Sequence, residues 1–266
     1  MMAEISAAVA ALFSCLAAII QVPALSRPLG QQRMVALLLR GGSVLALAVA
    51  LGLTMVGQGE VSPRDLRQVA FGLALATAAV HLALSLTLRQ AGGGWLVDVL
   101  PAGLILLALI FVRPGAEPLR CDQRTLAFGV AWALYLFGSG AAVVAGGAGG
   151  MVLLDDALGR KDAPASPPPA GRWRFLVTAL FLGTVILGGG LLVGACWAWR
   201  TTGTLGSGDP RQSWLAAAWL ALAMSFVAGE SGPDGARWMA FLTFLAALVT
   251  IVGLLAVPDL VLLWST

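Results

Sequence analysis

From residue 5 to residue 25 the chain reads ISAAVAALFSCLAAIIQVPAL, with no charged side chain anywhere in it. About 20 consecutive apolar residues, wound as a helix, match the hydrocarbon thickness of a bilayer. Inside lipid no water is present to bond a bare peptide group, so such a run must close its own hydrogen bonds as a helix or join a closed barrel. Barrel strands would alternate polar and apolar positions. The runs here are continuous, and the expectation is helical. Comparable runs recur near 35–57, 68–88, 95–112, 125–154, 175–199, 213–229 and 237–257. The fold class is therefore all-α: a polytopic membrane helix bundle of about eight transmembrane helices over residues 1–266. Composition agrees, with 59% hydrophobic and 11% charged residues against about 25% charged in soluble domains.

The first run could pass for a secretory signal, but its flank, MMAEIS, has no Lys or Arg, and we expect a retained helix. The hydrophilic stretches are short and lack apolar periodicity, so no separate soluble domain is expected. Lys and Arg near helix ends set orientation. With the N-terminus outside, the inner segments hold Arg27, Arg33, Arg40, Arg89, Arg160, Lys161, Arg172, Arg174 and Arg237; the outer ones hold Arg64, Arg67, Arg113, Arg120, Arg124, Arg200 and Arg211. The decisive segment is the Pro-rich linker GRKDAPASPPPAGRWR, 159–174, which carries four of these cations and reads as cytoplasmic. The stretch 200–212 then lies outside. A net charge of +3 spread over both sides gives no basic stripe for nucleic acid. Cys15, Cys121 and Cys196 are far apart and form no Cys-x-x-Cys-His haem attachment site.

Small residues carry the packing signal. Gly138, Ala142, Ala145 and Gly149 share one face of the fifth helix, and Gly183, Leu187, Gly190, Gly194 and Trp197 share one face of the sixth. Such faces let backbones approach closely in lipid, where dispersion and close packing drive association. We expect both helices in the core, with Trp197 at the outer membrane surface.

The single histidine, His81, lies in a stripe with Thr77, Ser85 and Arg89 at four-residue spacing. Polar groups inside a membrane avoid lipid and face protein or a cavity. Two roles fit His81: an axial ligand to haem iron, or a helix-to-helix hydrogen bond. Asp98 and Asp259 fall near span ends, where capping or solvation suffices, and Asp155 and Asp156 sit at a cytoplasmic exit. No His-Glu-x-x-His, phosphate loop or serine beside a base is present.

The stretch WAWRTTGTLGSGDPRQSW, 197–214, gathers three tryptophans, Asp209-Pro210 and two arginines between apolar runs. Interfacial anchoring accounts for the tryptophans, and Asp-Pro suits the start of a helix. Its order and spacing also resemble the tryptophan-rich external loop of the cytochrome c biogenesis membrane proteins (CcsA/ResC/HemX-like), at Trp197, Ala198, Gly203, Asp209, Pro210 and Trp214. The flanking helices are similar too, over most of 68–257. Where that loop has further tryptophans, this chain has Thr202, Gly206 and Gly208; where it has Lys and Glu, this chain has Arg211 and Gln212.

The resemblance implies haem held at the outer face of a bacterial cytoplasmic membrane by stacking on the loop. It implies a cytochrome c or its assembly partner, with other membrane subunits, alongside. Candidate haem-binding residues are His81, Trp197, Trp199, Asp209 and Trp214, with His81 the possible iron ligand and Met224 or Met239 as substitutes. No loop supplies a histidine. The alternative is a degenerate relative that serves as a structural or anchoring transmembrane subunit of a larger membrane redox complex.

Overall fold

A computed structural model of the chain describes residues 2–21, 30–58, 65–88, 95–111, 125–158, 170–205, 209–230 and 234–256. Among them every regular element is helical. α1 spans Met2–Gln21, α2 Gly30–Gln58, α3 Leu66–Thr87, α4 Trp95–Phe111, α5 Leu126–Ala157, α6 Ala170–Thr202, α7 Pro210–Gly229 and α8 Gly235–Leu255. Seven of the eight are long and apolar enough to cross a membrane; α4 is the shorter one. Three helix starts follow directly from side chains: Asp65 caps α3 by accepting from the backbone N–H groups of Arg67 and Gln68, Thr125 caps α5 by accepting from that of Phe128, and Asp209 caps α7.

The helices form two rings of four. α1 packs on α2 and α4 while α3 closes that ring; α5 packs on α6 and α8 while α7 closes the other. The rings meet where α5 lies against α3 and α4. Residues 30–58, 66–87 and the rest thus alternate in direction through the bundle. Arg67 at the start of α3 pairs with Glu4 at the start of α1, 3.0 Å apart. At the opposite end Arg172 of α6 pairs with Asp155 of α5, and Arg237 of α8 lies 3.4 Å from Asp156.

Glycines of the expected small faces make close contacts. A Cβ on Gly138 would fall 2.5 Å from the backbone N of Leu187, and one on Gly183 would fall 3.1 Å from that of Ala142. Gly149 packs on Ala240 and Thr243 of α8, and Gly140 on Ala76 and Thr77 of α3. α5 is thus the central post, buried along 138–149. A side chain at these positions would push the neighbouring helix away and forfeit its dispersion contacts.

Candidate functional site: a buried charge cluster

Two charged residues expected elsewhere lie inside the first ring. Arg40, assigned by its charge to an inner flank, sits eleven residues into α2 and is 5% exposed. Asp98, assigned to capping or solvation, stands one turn into α4 and is 3% exposed. The reason is electrostatic: an isolated ion in an apolar bundle costs several kcal/mol, whereas opposite charges on helices of one ring neutralise each other where their side chains meet inside it.

Arg40 grips the carboxylate in bidentate fashion, Nε to Oδ1 at 2.8 Å and Nη2 to Oδ2 at 2.9 Å. Its Nη1 donates to Ser85 Oγ at 3.0 Å. Gln21, the last residue of α1, donates its side-chain amide to Asp98 Oδ2. His81 completes the group, with Nδ1 at 3.0 Å from Asp98 Oδ1. Each of the four helices of the ring contributes, and Asp98 is the common acceptor. Against an ionised carboxylate, Nδ1 is the protonated nitrogen and Nε2 carries the lone pair. His81 Nε2 is buried and has no hydrogen-bond partner. The ring meets Phe175 of α6 edge-on, centroids 5.7 Å apart.

Thr77 and Ser85 of the expected stripe are buried as His81 is; Arg89 lies outside the described residues, as does 159–169 of the linker. Arg172 and Arg174, the end of that linker, belong to the first turns of α6.

The stretch 197–214 is mostly helix. α6 continues to Thr202 and α7 begins at Pro210, which leaves a short connection between them. Gly203, with φ of 72°, terminates α6 and bonds back to the carbonyl of Trp199. The helical setting separates the tryptophans. Trp197 and Trp199 stand about 200° apart round α6, so Trp197 is buried against Phe128, centroids 5.0 Å apart, while Trp199 is 58% exposed. Trp214 belongs to α7, exposed on one side and packed over Gly253 of α8 on the other. Asp209 accepts from the backbone N–H of Arg211 as the cap of α7, with Pro210 at its start, as the Asp-Pro pair suggested. Met224 is exposed on α7 and Met239 is buried on α8.

His81 and Trp197 lie toward opposite ends. Trp197 is level with Phe128, Gly140 is level with Thr77, and α3 and α5 run parallel, with Gly72 facing Leu136. Along α5 and then α3 the offset from Trp197 to His81 is about 24 Å at 1.5 Å per residue. One haem cannot stack on Trp197 and take His81 as its axial ligand.

Fold and site together define a class: an integral membrane helix bundle with a charge cluster inside one of its two rings. The chain matches no known family and no curated protein.

Proposed function

We propose that the chain is a structural, anchoring subunit of a larger membrane redox complex, and that its likeness to cytochrome c biogenesis proteins is one of architecture. One observation carries the reading: three of the groups expected to hold haem, His81, Trp197 and Asp209, are engaged in packing, bonding or capping, while Trp199 and Trp214 keep exposed faces. Asp209 caps α7, Trp197 fills the space beside Phe128, and His81 is bonded to Asp98 at an offset of about 24 Å along the bundle from Trp197. Haem presentation asks for stacking rings and an axial donor at the same end of the bundle.

The proposed setting is the bacterial cytoplasmic membrane, with the N-terminus and the α6–α7 connection outside. Removing buried Arg40 from the charge comparison leaves the 159–174 segment as the main support for that orientation.

The test is to purify the chain from its native membrane in mild detergent, then measure a pyridine haemochrome spectrum and the native mass. The anchoring reading expects no haem on the chain itself and a fixed-stoichiometry complex with redox-active subunits. Haem bound to the isolated chain and lost on His81→Ala overturns it, as does a chain that runs alone.

A further inference from the structure

The cluster is complete on one side of His81 and open on the other. Its Nδ1 is fixed by Asp98, whose charge Arg40 already balances. Its Nε2, in a residue 1% exposed, has no partner. A buried acceptor left unpaired is costly, and the bond from Nδ1–H to Asp98 leaves that cost at Nε2 in place.

We propose that His81 is an intramembrane proton-binding site, with Nε2 the atom that takes the proton. The inference stands apart from the anchoring role. Its chemistry is a single step: an N–H bond forms at Nε2 as an O–H bond of a hydronium ion breaks, water is released, and neutral imidazole becomes imidazolium. Asp98 holds the ring in place in both states, because Nδ1–H donates to it before and after.

The surroundings determine what the proton changes. Asp98 faces the ring from α4 and Arg40 reaches the same carboxylate from α2, with Gln21 beyond them on α1. From its own helix come Ser85 and Thr77, both neutral. α5 presents GSGAAVVAGGAGGM over 138–151, which has no titratable group. From α6 comes Phe175, flanked by exposed Arg174 and by Arg172, which is bound to Asp155. The cluster is neutral without the proton and carries one positive charge with it. The new Nε2–H then needs an acceptor, and only Phe175 and apolar helix surface lie on that side.

Protonation therefore favours entry of water between α3 and α6, beside the seam where α5 joins the two rings. The site lies about 9 Å, six residues of α3, from the near end of that helix, close enough to solvent for a modest separation to reach it. His81 senses protons, and the contact at Phe175 responds.

His81 is the only histidine in the chain, so isotope-labelled histidine reports on this ring alone. In lipid nanodiscs, imidazole nitrogen NMR from about pH 8 to about pH 4 spans the range in which histidines ordinarily titrate. The expected result is a neutral ring protonated at Nδ1 at the alkaline end, converting reversibly to imidazolium while the helical circular dichroism is unchanged. Trp173, two residues before Phe175, should change emission over the same interval, and His81→Gln should abolish that change. A ring whose state does not alter while the fold persists overturns the proposal. So does a proton already on Nε2 at alkaline pH, or a titration that appears only as the helices melt. Should His81→Gln fail to fold, the wild-type NMR decides alone.

Discussion

Asp98 receives hydrogen bonds from Gln21, Arg40 and His81, side chains on three other helices. An acid shared in this way is held more by its partners than by its own helix. Removing it strands Arg40 as a buried, unpaired cation, and breaking such a pair costs about 3–5 kcal/mol. Asp98→Ala should accordingly lower unfolding stability in detergent by that amount, measured by thermal or denaturant unfolding. Replacing both charges with apolar residues of similar volume, Arg40→Met with Asp98→Leu, should restore most of the loss, since a buried ion pair and a well-packed apolar pair are often near parity. A double variant as unstable as Asp98→Ala would show that the charges do more than neutralise each other.

Helices, the next scale up, explain why spacing in the sequence was a sound guide in one place and not in another. On α5 and α6 the rhythm of small side chains marks faces suited to close packing, and Gly138 against Leu187 and Gly183 against Ala142 are where those faces meet. Gly138→Ala should cost about 1–3 kcal/mol by forcing the helices apart. Gly129→Ala on the same helix, where an added Cβ meets nothing within 4 Å, should be close to neutral. Equal losses at both positions, read by detergent unfolding, would contradict the packing argument. As a loop, the 197–214 stretch would let Trp197, Trp199 and Trp214 converge. Continuing α6 to Thr202 fixes Trp197 and Trp199 on different sides of one helix. Aromatic composition cannot reveal this, because a tryptophan serves equally well at a helix end, in a loop or at a lipid interface.

At the scale of the whole molecule, orientation is the open variable. Thr204, exposed at the end of α6, offers a test: in intact cells, Thr204→Cys in a background with the native cysteines replaced should react with a membrane-impermeant maleimide, and Ser166→Cys should not. The reverse pattern would invert the bundle. Eight apolar runs were enough to fix the number of helices, and their observed bounds stay within five residues of the expected ones.

The candidate site was partly legible. His81 with Thr77 and Ser85 was visible as a stripe, while Arg40 and Asp98 were placed at helix ends. The available clue was that each stands within an apolar run, in LLLRGGSVLAL and LVDVLPAGLILL; two opposite charges inside spans are an invitation to pair. Hydropathy determined this chain's class because desolvating peptide groups in lipid admits so few solutions that twenty apolar residues leave little but a helix. Which helices neighbour each other, and hence which charge meets which, depends on contacts between residues as distant as Gln21 and Asp98, and only the assembled bundle decides that.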